Sequence, residues 1–187
     1  MPAGVIGIAM NNGYEGTISV TADSIVQARL AKVAEGDPNG YIPFGAAVSL
    51  GADNTYSRMT GKINSSTHQL ADGKFAGIAV REVIQANTFD PQSNTGYNDK
   101  VPCDALVRGQ CTIKVLGGTV AAGGAVYPVY GGTTEGVDLP FIGFAGASYT
   151  DASNTVSSTA IPNMEFTTGN VDANDIAEVT IKTRNIG

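Results

Sequence analysis

The longest stretch of alternating apolar and polar positions in this chain covers residues 105–115. Odd-numbered positions there are small or apolar, and Leu106 is the main exception among the even-numbered ones. Because successive side chains of a strand point to opposite faces, the pattern predicts a half-buried β-strand. Cys111 is expected on its inner face. The outer face is expected to carry Arg108, Gln110, Thr112 and Lys114.

Shorter apolar runs lie on either side of this strand, separated by segments rich in Gly, Asn, Ser and Pro. In the run closest to the C-terminus apolar and polar residues alternate, which predicts a strand with one solvated face. We expect residues 146–160 to form a flexible loop or a sheet edge. Many short strands joined by turns predict an all-β fold, either a single antiparallel β-sandwich or a small β-barrel, with at most a short helix. The runs are 46–50, 75–84, 125–130, 139–145 and 176–182.

One segment, residues 17–35, carries conflicting signals. It begins with β-branched residues, including Ile18 and Val20, which favour a strand. Ser24 is followed three residues later by Gln27, the spacing of a helix capping box, and alanines follow. We therefore expect an extended start, and the sequence allows a helical turn after Ser24.

A chain of 187 residues suits one domain with an appended segment. Residues 1–18 are interpreted as an extended N-terminal arm, because glycines interrupt them repeatedly and Ile6, Ile8 and Met10 have no apolar partner nearby. Such a terminus docks either onto its own domain or onto a partner. The β-rich core domain is expected to cover 19–187, with a polar loop excursion near 51–73.

Composition and charge exclude several classes of partner. The net charge is −6 and no cluster of Lys or Arg occurs, which argues against nucleic acid and against an anionic membrane surface. No signal peptide or transmembrane-length apolar segment is recognised. Cys103 and Cys111 would lie roughly 26 Å apart on an extended strand at ~3.3 Å per residue, too far for a disulfide. They are predicted to be free thiols, which suits a reducing cytoplasm.

No motif for catalysis, a cofactor or a metal is found. His68 is the only histidine, no Gly-x-Ser-x-Gly motif is present, and the glycine pairs do not form a phosphate-binding fingerprint. Residues 170–175 resemble the start of a calcium loop, but its sixth and twelfth positions hold Asp175 and Ile181. A polar turn before the last strand is the better interpretation, with an irregular calcium site as the alternative. A hydrolase that uses paired carboxylates stays open as a less favoured reading.

Six short phrases along the chain are similar, in their order and spacing, to structural cement (head decoration) proteins of tailed bacteriophages. The resemblance extends over nearly the whole chain. The phrases are GYEGTIS at 13–19, IPFGAAV at 42–48, KFAGIAVRE at 74–82, LVRG at 106–109, GGAVY at 123–127 and AEVTI at 177–181.

The resemblance implies a non-enzymatic protein on the outer surface of an icosahedral phage head, made in the host cytoplasm and carried in the virion. It implies binding to the major capsid protein, clamping of neighbouring subunits against internal DNA pressure, and self-association as dimers or trimers, without a cofactor. The candidate residues for the capsid interface are Ile6, Ile8, Met10, Tyr14 and Ile18.

The alternative hypothesis is a carbohydrate-binding β-sandwich that recognises glycans through tyrosines on exposed loops. These tyrosines are Tyr14, Tyr41, Tyr56, Tyr97 and Tyr149.

Overall fold

A computed structural model describes residues 12–35, 37, 39–67, 70–81 and 96–183. All the regular secondary structure in these ranges consists of β-strands, so the all-β prediction is confirmed. No helix in the described ranges could cross a membrane. The strands are β1 (Ile18–Leu30), β2 (Tyr41–Pro43), β3 (Ala47–Leu50), β4 (Tyr56–Arg58), β5 (Thr60–Ile63), β6 (Leu70–Asp72), β7 (Gly77–Ala79), β8 (Gly96–Asn98), β9 (Pro102–Gly117), β10 (Tyr127–Gly131), β11 (Asp138–Ala145), β12 (Asn154–Val156), β13 (Met164–Phe166) and β14 (Ile176–Ile181).

The predicted central strand, β9, connects most of the architecture. It pairs antiparallel with β1, β7 and β14, and parallel with β11. These strands belong to a 12-stranded sheet whose main path is β12-β10-β11-β9-β7-β3-β4, while β2 and β8 form a separate pair. The sheet is mixed and does not close into a barrel, which corrects the expectation of a purely antiparallel sandwich or barrel. Two reversals of chain direction, one on each side of β10, bring β11 back parallel to β9.

Burial along β9 follows the alternation that predicts it. Cys111, Ile113 and Val115 are completely or almost completely buried, whereas Lys114 is exposed. Thr112 is the exception on the predicted outer face, since it is only 3% exposed. Its burial shows that another part of the chain covers this face of β9.

Most of the ambiguous segment, Ile18–Leu30, forms the strand β1, and no helical turn follows Ser24 in the described residues up to 35. β1 pairs with β9 from Ile18, opposite Cys111, to Leu30, opposite Pro102. This ladder provides hydrogen-bond partners for the backbone at both ends of the 13-residue strand, on either side of a bulge, which outweighs a weak local helix propensity. The hydroxyl of Ser24, expected as a helix cap, instead donates to the Val20 carbonyl within a bulge of β1.

The bulge in β1 depends on a glycine in β9. From Val20 to Ile25 the chain advances five residues on β1, whereas the paired residues on β9 advance only two, from Gln110 to Arg108. Gly109 has φ +121°, and a Cβ there would lie 2.6 Å from Ser24 Oγ and 2.9 Å from Ser24 Cα. Only glycine therefore allows the bulge to fold back onto β9 at this point.

The expected loop excursion over 51–73 contains three strands, β4, β5 and β6, and is corrected accordingly. Tyr56 in β4 and Met59 between β4 and β5 are buried in the hydrophobic core. Arg58 is also buried and pairs with Asp37 at 2.7 Å between Nη2 and Oδ2. The predicted edge at 146–160 contains β12, which among the described strands pairs with β10 alone.

Candidate functional site

Residues 12–17, here called the strap, lie across β9 immediately before β1. The Gly16 N–H donates to the Thr112 carbonyl at 2.8 Å, and the Thr112 N–H donates to the Thr17 carbonyl at 2.9 Å. The Thr112 hydroxyl donates to the Tyr14 carbonyl at 2.6 Å and accepts from the Thr17 N–H at 3.1 Å. The strap therefore buries Thr112 and uses every polar group that this residue offers.

A turn before β14 holds the other end of the strap. The Asn12 N–H donates to Asp172 Oδ2 at 2.9 Å, and the Asn12 side-chain amide donates to the Ile176 carbonyl at 2.8 Å. Asp172 Oδ1 also accepts the N–H groups of Asn174 and Ile176. Burial raises the pKa of Asp172, but these three N–H donors outweigh burial and hold the pKa below its usual value. The calcium-like sequence is thus a polar turn that fixes the strap.

Three of the phrases that carry the family resemblance meet at the strap. The Arg81 N–H donates to the Gly16 carbonyl at 2.7 Å, and the Arg81 guanidinium lies over the Phe44 and Tyr14 rings at 4.7 and 5.7 Å. Gly16 has φ +77°, and a Cβ there would lie 2.7 Å from the Gly45 nitrogen. Gly16 and Gly45 are therefore required for close backbone contact between these phrases, a role that the phrases alone do not reveal.

The predicted capsid-contact residues have different environments. Tyr14 is 74% exposed, whereas Ile18 is half-buried and packs against the core opposite Cys111. The strap thus presents Tyr14 to solvent and turns Ile18 inward. Three further candidates, Ile6, Ile8 and Met10, lie outside the described residues, as does His68.

The tyrosine set of the carbohydrate hypothesis is not gathered on exposed loops. Tyr56 and Tyr97 are buried, with 1% and 2% exposure, because they pack into the hydrophobic core. Tyr97 also donates its hydroxyl hydrogen bond to the Val80 carbonyl. This expectation is corrected for both residues.

Both cysteines are free, as predicted, and both are buried, although the sequence predicts burial only for Cys111. Burial, reinforced by Asp104, raises the pKa of the Cys103 thiol to about 12, and burial also raises the pKa of Cys111. Both thiols therefore stay protonated at neutral pH and act as small apolar core groups.

Two cavities flank the strap and share two charged residues. One of about 330 Å³ is lined by Tyr41 and Phe44 among others, and one of about 410 Å³ by Tyr14 and Ile176 among others. Glu15 and Lys114 line both, so we call the combined depression the strap groove. Burial raises the pKa of Glu15, and the nearby cations Lys114 and Arg81 offset part of this effect.

β1 provides a second exposed feature beside the strap. Among the described strands it pairs with β9 alone, and its side chains Val20, Ile25 and Leu30 are exposed. Asp23 in the bulge is held by Arg108, with 2.9 Å between Oδ2 and Nη2. In the described part of the chain no group of three metal-ligating side chains comes together.

Comparison with known proteins identifies the family. A family model described as structural cement protein (E217 gp24/Pam3 gp6) matches residues 2–182. The chain belongs to this phage structural cement family. Its role is therefore a structural one in the phage capsid, as the resemblance predicts, and membership of a structural family implies a non-enzymatic role.

A similar fold is also found in a solved phage capsid structure. A chain in the structure titled "The capsid of Myoviridae Phage XM1" shares 15% identity with this cement protein, with a TM-score of 0.50 and 95% of both chains covered. At this identity the likeness concerns the fold alone. The comparison with curated proteins gave no match.

Proposed function

We propose that this cement protein binds the outer surface of the phage head and clamps neighbouring major capsid protein subunits, stabilising the shell against internal DNA pressure. The observation that carries the proposal is the anchored strap. Hydrogen bonds from β9 and from the turn at Asp172 fix residues 12–17 to the core. Any load on the residues before Asn12 therefore passes into two paired strands of the sheet, β9 at Thr112 and β14 at Ile176.

The arm is proposed to reach an adjacent subunit while the core stays on the first. Eleven residues precede Asn12, and at ~3.3–3.6 Å per residue they extend to at most roughly 36–40 Å. Ile6, Ile8, Met10 and Tyr14 are the proposed contact residues, and the inward-facing Ile18 marks the end that stays with the core. The exposed edge of β1 is proposed to add sheet-edge pairing to this contact.

Repetition strengthens such contacts even when each one is weak. Once one part of the protein is bound, the arm meets the neighbouring subunit at a high effective concentration. Self-association as dimers or trimers, also part of the proposal, would multiply the effect. The buried reduced thiols suit synthesis in the host cytoplasm before attachment to the head.

Deletion of residues 1–11 tests the proposal, because it removes the arm but keeps the strap and the core. We expect the truncated protein to keep the thermal midpoint of the full chain. It should co-sediment at least tenfold more weakly with expanded heads that lack the cement protein, and protect them less against heat. Unchanged binding by the folded, truncated protein would refute the role of the arm. A lack of binding by the full chain would refute the capsid function itself.

A further inference from the structure

The strap groove contains an unbalanced positive charge. Lys114 extends from the solvent face of β9 and, within the described part of the chain, makes no hydrogen bond or ion pair. Arg81 does not line the groove but is close enough to Glu15 to lower the pKa of its carboxyl, and it is fixed over two aromatic rings. Glu15 and these two cations together form a cluster with a charge of +1 (2 − 1), on a chain whose net charge is −6.

The shape of the groove places Lys114 where a side chain from outside can reach it. The cavities on the two sides of the strap meet at Glu15 and Lys114, so the ammonium group faces open space rather than a neighbouring strand. The walls are part polar and part apolar, and their apolar portions include Tyr14 and Ile176 in one cavity and Phe44 in the other. A carboxylate bound here would be partly shielded from water, which strengthens its attraction to the ammonium group.

We propose that the strap groove receives an acidic side chain of the major capsid protein, whose carboxylate pairs with Lys114. The inference rests on the proposed function. The shell is the expected source because the groove borders the strap, from which the arm continues towards the neighbouring subunit. A bound carboxylate brings the local charge to zero.

Glu15 has a distinct role in this arrangement. Its carboxylate lies beside the incoming one, so the two negative charges repel each other. Glu15 therefore weakens the contact that Lys114 makes, and it limits the affinity of the groove for acidic side chains. A residue with a merely structural role would not be expected to increase binding when its charge is removed.

Binding to expanded heads by three variants tests the assignment. We expect Lys114→Glu to weaken binding at least tenfold and Glu15→Gln to strengthen it severalfold, with both effects reduced at high salt. Lys100→Glu is the matched control, because Lys100 is an exposed lysine in the turn before β9 and outside the groove; its binding should stay within twofold of wild type. Wild-type binding by a folded Lys114→Glu variant, or weaker binding by Glu15→Gln, would overturn the proposal.

Zero-length cross-linking identifies the occupant directly. A carbodiimide joins a lysine amine to a carboxylate only where the two are in contact, so decorated heads should yield a peptide that links Lys114 to an Asp or Glu of the major capsid protein. A link from Lys114 to a second copy of this chain, or none at all, would contradict the proposal. If the arm deletion abolishes binding while Lys114→Glu does not, the proposed function stands and only the groove assignment fails.

Discussion

The side chain of Thr112 provides the sharpest test of how the strap is held. Thr112→Val keeps the size and shape of the side chain but removes one donor and one acceptor, which serve the Tyr14 carbonyl and the Thr17 N–H. A neutral hydrogen bond contributes about 0.5–1.5 kcal/mol net. The Thr17 N–H keeps a longer bond of 3.3 Å to the Tyr14 carbonyl. We therefore expect the free energy that holds the strap on β9 to fall by about 2 kcal/mol in total, which is within the range expected for two such bonds.

Hydrogen–deuterium exchange separates release of the strap from global unfolding. A loss of about 2 kcal/mol corresponds to roughly 30-fold faster exchange of a protected amide, at 1.4 kcal/mol for each factor of ten. The reporting amide is the Gly16 N–H, which is bonded to the Thr112 carbonyl. Mass spectrometry of a peptide that covers residues 12–17 measures the change, while peptides from the centre of β9 should change little.

The control variant is Thr180→Val, which removes the 2.8 Å contact between the hydroxyls of Thr180 and Thr167, away from the strap. It should lower the free energy of global unfolding by about 1 kcal/mol or less and leave exchange in the strap unchanged. Equal exchange of the strap in wild type and Thr112→Val would refute the conclusion that the Thr112 hydroxyl holds it. Equal acceleration in both variants would show that only global unfolding is measured.

Three further changes test the core and the groove. Gly109→Ala should destabilise the fold by about 2–4 kcal/mol in urea denaturation, since the new Cβ meets Ser24 and the backbone has positive φ. The control Gly123→Ala, where φ is also positive but no atom lies within 4 Å of the new Cβ, should cost only about 1–2 kcal/mol. Equal losses of stability in the two variants would refute the steric argument. A thiol reagent at pH 8 should label neither cysteine in the folded protein and both in denaturant, and rapid labelling of the native protein would contradict their burial. Because the pKa of Glu15 in the folded protein is raised above its usual 4.5, ionisation of Glu15 opposes folding, and the free energy of unfolding falls as the pH rises above about 4.5. Glu15→Gln should therefore be more stable than wild type at pH 7, and the difference should disappear below about pH 4. A less stable variant at pH 7 would show that the carboxylate supports the fold.

Local patterns in the sequence are sufficient to predict β9, because its alternation and the buried Cys111 follow from the pleat of a single strand. The free thiols are predicted for the same reason. The mixed sheet is not predictable in this way, because the parallel contact of Phe144 with Val115 depends on how β10 reverses the chain. Residues 24–30 are ambiguous in the sequence because β1 is stabilised by partners in β9 that lie 72 (Leu30–Pro102) to 83 (Ile25–Arg108) positions away rather than by local preference.

The strap shows a similar limit for the candidate site. Ordered phrases in the sequence indicated the family, but not that Gly16, Gly45 and Arg81 meet in space. The anchor of Asn12 on Asp172 joins residues separated by 160 positions, and no pattern near either residue predicts it. Tyr14 was identified as a contact candidate from its place on the arm. Lys114, in contrast, was expected only to face solvent, and its unpaired charge in the strap groove is visible only in the fold.

The anchoring of the first described residues by the last strand also sets an order of events during synthesis. Asn12 leaves the ribosome long before Asp172 and Ile176, so its hydrogen bonds cannot form until residues 160 and 164 positions further along the chain have been synthesised. A nascent or prematurely terminated chain has an arm but no anchor for it. In the proposed function, therefore, only a chain that already includes the start of β14 can bear load through its arm.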